Sequence, residues 1–107
     1  MLDKLEKEIQ EQFGVGRVFY DPFNVYSFLF EINFNPYFGV LFEVEKTPEV
    51  DCYLLTQSGH FKGVEGSSTV GVVRYTLNTE KELLGKIKEV LEDYNKVSDL
   101  LNKLYTE

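Results

Sequence analysis

The sequence predicts an α+β fold: a five-stranded antiparallel sheet with a short N-terminal helix and a long C-terminal helix packed on one face, in the order α-β-β-β-β-β-α. Three observations support this prediction. Apolar residues recur at helical spacing near each end of the chain, central segments alternate with period two, and turn residues separate these segments. At 107 residues, the chain is predicted to form one domain over residues 1–107.

The N-terminal segment predicts a helix over about residues 2–13. Its apolar residues, which lie at helical spacing, are Leu2, Leu5, Ile9 and Phe13. Gly14 supplies a stop signal, since glycine adopts the left-handed conformation that ends many helices. A short strand over 15–20 is expected to follow and to end at the Asp21-Pro22 turn.

The clearest strands are predicted over 26–34 and 38–44, where large apolar residues occupy the even positions. A three-residue loop, 35–37, places the even positions of both strands on one face. The resulting pairs are Phe34 with Phe38, Ile32 with Val40, Phe30 with Phe42, and Phe28 with Val44. A slip of one residue would turn these side chains to the opposite face, so this register is the one predicted.

A fourth strand is predicted over 50–56, after a turn at 46–49. Continuing the same apolar face places Val50 opposite Val44, Cys52 opposite Phe42 and Leu54 opposite Val40. The glycine-containing segment 58–68 is expected to be a flexible connection, and 69–76 the fifth strand.

The C-terminal helix is predicted over about 80–104 and begins with a capping box at Thr79 and Glu82. Its apolar residues continue at heptad spacing through Leu83, Ile87, Val90, Tyr94, Val97, Leu101 and Leu104. At about 1.5 Å per residue, this helix is longer than the strands that it covers. Either the first helix covers the excess length, or a second copy does. The dimer interface predicted for the second case comprises Tyr94, Val97, Leu100, Leu101 and Leu104.

Charge and cysteine content exclude several classes of protein. The formal net charge is −7, so direct contact with nucleic acid or with an anionic membrane is not expected. The single Cys52 cannot form an internal disulfide, the N-terminus carries no signal-peptide apolar core, and no segment is predicted to span a membrane. These features predict a cytoplasmic protein whose partner has a basic surface.

The register also predicts what the sheet displays on the face away from the helices, called here the outer face. Leu29 is expected opposite Glu43, Glu31 opposite Leu41, Glu43 opposite Asp51, and Leu41 opposite Tyr53. The residues predicted to bind a partner are Leu29, Glu31, Leu41, Glu43, Glu45, Asp51, Tyr53 and Leu55. An apolar patch surrounded by carboxylates is typical of a docking surface, although acidic residues also protect open sheets from aggregation. Clustered carboxylates at Glu31, Glu43 and Asp51 leave a divalent cation as a further alternative.

No catalytic motif is found. His60 is the only histidine, no nucleophile elbow is present, and His60 with Cys52 makes an incomplete zinc site. His60 is expected to lie in an exposed loop, and the loop glycines lack the Gly-Lys-Ser/Thr ending of a phosphate-binding loop. We therefore expect no enzyme activity and no cofactor.

One local pattern resembles a known family. Tyr53-Leu54-Leu55 followed by Gly59-His60-Phe61 is similar to a strand and a Gly-x-His-Phe turn of the frataxin family, whose element order and acidity are also similar. The resemblance covers about nine residues, and this chain has tyrosine where the family has tryptophan. It implies metal binding through first-helix carboxylates such as Asp3 and Glu6.

Three functional hypotheses follow. The first is a non-enzymatic interaction module that docks on a basic protein surface, including inhibitors of viral or mobile-element type that mimic nucleic acid. The second is a protein that binds a small ligand or metal through the sheet and the 57–68 segment. The third is an assembly subunit that dimerises through the C-terminal helix.

Overall fold

The structure, a computed structural model, describes residues 2–16, 18–63 and 66–106. Its elements are α1 (Asp3–Phe13), β1 (Phe19–Asp21), β2 (Asn24–Asn35), β3 (Phe38–Glu45), β4 (Tyr53–Gly63), β5 (Gly66–Leu77) and α2 (Glu80–Thr106). The strands form one antiparallel sheet in the order β1-β2-β3-β4-β5. The predicted fold class and element order are confirmed.

Helix α1 ends where the sequence predicts. Gly14 adopts φ 67°, a left-handed conformation that glycine occupies without steric cost. The predicted strand over 15–20 is wrong in its bounds, because β1 covers only Phe19–Asp21 and Val15 is instead a buried core residue. The Tyr20 hydroxyl donates a hydrogen bond of 2.5 Å to the Glu6 carboxylate and so links β1 to α1. Burial and this carboxylate raise the pKa of the Tyr20 hydroxyl, since both disfavour a phenolate.

The β2–β3 register is confirmed along the body of the hairpin. Ile32 pairs with Val40, Phe30 with Phe42, and Phe28 with Val44. The turn itself differs from the prediction, because Asn35 rather than Phe34 is opposite Phe38 and the register shifts after Asn33. The extra residue therefore lies in a β-bulge between Asn33 and Asn35, and the loop is shorter than the predicted three residues.

The predicted β3–β4 register is wrong. Val44 is opposite Leu55 instead of Val50, and Phe42 is opposite Gln57 instead of Cys52. The shift occurs because Lys46 holds a longer loop: its ammonium group donates to the backbone carbonyl of Thr47 at 3.0 Å and to that of Val50. Cys52 consequently lies in a bend before β4, only partly buried.

Strands β4 and β5 form a longer hairpin than predicted. The expected flexible connection over 58–68 is wrong, because β4 continues to Gly63 and β5 begins at Gly66. The β4–β5 register shifts between Gln57 and Gly59, so that Gln57 pairs with Val73 and Gly59 with Val70. The extra residue lies in β5, where Gly71 has φ 65°. A glycine in this conformation is typical of a β-bulge.

Both helices pack on the same face of the sheet, as predicted. The core joins apolar side chains from each layer: Leu5 and Ile9 of α1, Leu83, Ile87 and Val90 of α2, and Phe28, Phe30, Val40, Phe42, Val44 and Leu55 of the sheet. The Phe30 and Phe42 rings stack at its centre, 5.1 Å apart. Each such side chain contributes about 1.5–3 kcal/mol when it is fully buried, so this face supplies the main stabilisation.

Helix α2 begins with the predicted capping box. The Thr79 hydroxyl accepts the Glu82 backbone N–H at 3.1 Å, and the Glu82 carboxylate accepts the Asn78 backbone N–H at 2.9 Å. No helix in the described part of the chain has an apolar stretch long enough to cross a membrane.

Candidate functional site

The outer face of the sheet presents alternating apolar and acidic side chains on β2 and β3. Leu29 is opposite Glu43, and Glu31 is opposite Leu41, as predicted. Each glutamate therefore lies beside a leucine, and the two leucines are diagonal neighbours. All four side chains are half-buried, which leaves part of each accessible from solvent.

Strand β4 extends this face with residues that the sequence did not place there. Glu45 is opposite Leu54, Glu43 is opposite Thr56, and Leu41 is opposite Ser58. The outer-face pairs on the neighbouring strands are Phe19 with Leu29, Thr56 with Arg74, and Leu54 with Thr76. The outer face thus carries the carboxylates of Glu31, Glu43 and Glu45, with Arg74 at its β5 margin.

A hydrogen bond between Glu31 and His60 crosses the middle of the outer face. The His60 Nδ1 atom lies 2.6 Å from Glu31 Oε2, and the side chains are 19% and 22% exposed, respectively. The two residues belong to β2 and β4, so their side chains meet across β3. His60 is therefore a half-buried residue of a strand, and the prediction that it lies in an exposed loop is wrong.

Gly39 occupies the β3 position between Asn33 and His60. A Cβ atom at Gly39 would lie 2.6 Å from Asn33 Oδ1 and 2.8 Å from the Ile32 carbonyl oxygen. The Asn33 side chain thus fills the space that any other residue at position 39 would need. This close approach gives the outer face a packed centre around the Glu31–His60 pair.

Three residues predicted for the outer face do not lie on it. Leu55 is fully buried in the core, and Tyr53 packs against the same core. Asp51 is exposed in the bend before β4 and is not opposite Glu43. All three differences follow from the shifted β3–β4 register, which places odd-numbered β4 residues on the helix side and leaves Asp51 before the strand.

Glu45 remains at the edge of the site with a defined partner. Its carboxylate accepts a hydrogen bond of 3.0 Å from the Asn24 side-chain amide. This contact joins the ends of β2 and β3 and fixes the orientation of the Glu45 side chain.

The predicted dimer residues fall into three groups. Tyr94 packs within the chain, with its ring centroid 5.8 Å from that of Phe38 and 6.5 Å from that of Phe34. Burial, and to a smaller extent the neighbouring Tyr75, raise the pKa of the Tyr94 hydroxyl. Val97 and Leu100 are 44% and 61% exposed. The side chains of Leu101 and Leu104 lie outside the described residues, and the α2 interface stays a prediction.

A groove lies between the two helices, on the opposite side of the sheet from the outer face. Its volume is about 600 Å³, and its lining includes Lys4 and Glu8 of α1 with Glu80 and Lys81 of α2. A hydrogen bond to Glu8, burial of the carboxyl group and the Glu8 charge raise the pKa of Glu80, whereas Lys4 acts in the opposite direction. The Glu80 Oε1 atom is buried and has no hydrogen-bond partner. The neighbouring Glu8 therefore favours the protonated form of Glu80 in this groove.

The described residues provide no arrangement suited to a metal ion. Among them, no group of three or more His, Cys, Asp or Glu side chains is placed to bind one. The suggested cluster of Glu31, Glu43 and Asp51 is not formed, because Asp51 lies outside the sheet. On α1, Glu6 accepts the Tyr20 hydroxyl instead of presenting a free carboxylate.

Comparisons with known proteins add no assignment. No protein-family model matches the chain, and neither a curated protein nor a solved structure matches it. The resemblance to frataxin therefore rests on the short segment in β4, the element order and the acidity.

Proposed function

We propose that this chain is a non-enzymatic interaction protein whose outer sheet face docks on a partner with a basic surface. The observation that carries the proposal is the alternation of Leu29 and Leu41 with Glu31 and Glu43 on that face. The revised docking surface also includes Leu54 and Glu45, which are opposite each other.

The two kinds of side chain serve different parts of recognition. Leu29, Leu41 and Leu54 supply apolar area, which stabilises a complex when it is removed from water. The three glutamates, together with the net charge of −7, attract a basic partner and accelerate its association. Carboxylates distributed among apolar residues also discriminate against acidic partners, because like charges facing each other are unfavourable.

A partner that normally binds DNA or RNA fits this chemistry. Such a protein carries lysine and arginine residues in a groove or on a face that neutralises phosphates. The acidic outer face would occupy that surface in place of the nucleic acid. Under this proposal the chain acts as a small acidic inhibitor of a nucleic-acid-binding protein, the class suggested by its size and charge.

A charge reversal with a matched control tests the proposal. Glu43→Lys changes the centre of the docking surface, and Glu92→Lys makes the same change in net charge at an exposed position on α2. The probe is a synthetic peptide of alternating arginine and leucine, with binding measured by titration calorimetry at low and moderate salt. We expect Glu43→Lys to weaken binding about tenfold or more, because a like charge then faces the peptide. We expect Glu92→Lys to have a much smaller effect.

Chemical-shift mapping supplies the second readout. The peptide should perturb the amides of β2, β3 and β4 more than those of α1 and α2. Equal weakening by the two variants, or shifts confined to the helices, would contradict the proposal and indicate attraction by net charge alone.

Assembly through α2 is the second candidate, favoured by the exposure of Val97 and Leu100. Isolated apolar residues on a helix surface are common in monomers. Solution mass of the Leu100→Lys variant tests this candidate, since a polar side chain in the centre of a helix–helix contact would separate the copies.

A further inference from the structure

The two edges of the sheet are protected to different degrees. At one edge, β1 is three residues long and is followed by Pro22, which has no N–H group. The Asp21 carboxylate accepts the Phe23 N–H at 2.8 Å, so the turn satisfies that donor locally. At the other edge, β5 is 12 residues long. Long edge strands carry rows of unpaired N–H and C=O groups that can pair with another chain.

Strand β5 has few of the features that prevent such pairing. It contains no carboxylate and no proline, and its only charged residue is Arg74. In the described part of the sheet it pairs with β4 alone. The bulge that contains Gly71 interrupts the strand, but residues 73–77 continue in regular register with β4. Val72 and Val73 are 66% and 40% exposed, although both are apolar.

We propose that residues 73–77 of β5 pair antiparallel with the same segment of a second copy, so that two five-stranded sheets join into one. A two-fold axis perpendicular to the sheet relates the copies, and both sets of helices then lie on the same side. Such an interface is isologous: each residue contacts its counterpart in a reciprocal arrangement.

The faces of the strand select the register. Val73, Tyr75 and Leu77 lie on the helix side, because they pair with β4 residues 57, 55 and 53. Centring the axis on Tyr75 sets Tyr75 opposite its counterpart and Val73 opposite the second copy's Leu77. Arg74 is then opposite Thr76 instead of a second arginine. This register pairs apolar with apolar side chains and separates the like charges, both of which favour strand pairing.

Charge and the self-complementary register favour a second copy as the occupant of this edge. Each copy carries −7, so contacts through the acidic outer face would be repulsive. The β5 edge is free of carboxylates and therefore allows two acidic copies to approach with little repulsion. Pairing here also leaves the outer face of each copy accessible and brings two docking surfaces into one continuous sheet.

A pair of matched valine substitutions tests the inference. Val73→Lys places a charge at the β5 edge, and Val97→Lys places the same charge on α2, where the valine is similarly exposed at 44%. Edge lysines are a common natural means of preventing strand pairing. Solution mass is measured by light scattering over a wide range of concentration, and circular dichroism with thermal unfolding confirms that each variant is folded.

We expect the unmodified chain to reach twice its mass of 12.4 kDa. Val73→Lys should remove most of the dimer, and Val97→Lys should retain it. A wild-type chain that stays monomeric at high concentration overturns the inference, as does a dimer that survives Val73→Lys. A dimer lost only in Val97→Lys overturns it in favour of the α2 interface.

Discussion

Replacing Gly39 by alanine should destabilise the protein although alanine is the better residue for regular structure. The added Cβ would lie 2.6 Å from Asn33 Oδ1, 2.8 Å from the Ile32 carbonyl oxygen and 3.1 Å from the Asn33 Cα. The asparagine side chain can rotate away, but the other two atoms belong to the β2 backbone. Relief of the contact therefore requires β2 and β3 to separate beside the turn that joins them.

The size of this effect follows from the kind of atom that must move. Overpacking of a well-packed region costs about 1–3 kcal/mol, and backbone contacts fall toward the upper end of that range. Replacing glycine also lowers the conformational entropy of the unfolded chain, which stabilises the folded state by about 0.4–1 kcal/mol and offsets part of that cost. We therefore expect Gly39→Ala to lower the free energy of unfolding by roughly 1–2 kcal/mol.

Urea unfolding at neutral pH, followed by far-ultraviolet circular dichroism, measures this change. Gly85→Ala is the matched control, because a Cβ at Gly85 meets nothing within 4 Å and the residue lies inside α2. The control should stabilise the protein by about 1 kcal/mol. Stability of Gly39→Ala equal to or above that of the wild type would refute the steric argument.

Two further substitutions test the N-terminal end of α2. The raised pKa of Glu80 means that the protonated carboxyl group is favoured in the folded state. The stability that this protonation contributes is therefore full at acid pH and is lost as the pH rises through the folded-state pKa. The free energy of unfolding of Glu80→Gln, relative to that of the wild type, should therefore be higher at pH 7 than at pH 4. Urea unfolding at both pH values measures this difference, and a difference that does not change with pH would contradict the prediction. Thr79→Ala should cost about 1 kcal/mol, because it removes the oxygen that accepts the Glu82 N–H; an unchanged thermal midpoint would show that the cap contributes little.

The β2–β3 hairpin could be predicted from sequence because one physical signal dominates it. Phe28, Phe30 and Phe42 are all fully buried, so alternation of large apolar residues fixes both the face and the register. One end of each helix is also predictable, since Thr79 caps the start of α2 and Gly14 marks the end of α1. The prediction is therefore correct for four residues of the outer face, which are Leu29, Glu31, Leu41 and Glu43.

The β4 register could not be predicted in this way. The helix side of β4 carries Gln57 and Gly59, which interrupt the apolar alternation, although both are buried. The loop before β4 depends on a lysine ammonium group donating to backbone carbonyls, an arrangement that has no hydrophobic pattern. Leu54 and His60 were missed from the outer face for this reason, and Tyr53 and Leu55 were wrongly included.

The order of the strands also has a consequence for how the chain folds. Every strand pairs with its neighbour in sequence, so the whole sheet can form from hairpins whose closure costs little entropy. Local pairing of this kind is associated with rapid folding. The helices, in contrast, come from distant parts of the chain and share one core. Packing α1 against α2 over the sheet therefore carries the largest loop-closure cost, because these two elements are the farthest apart in the sequence.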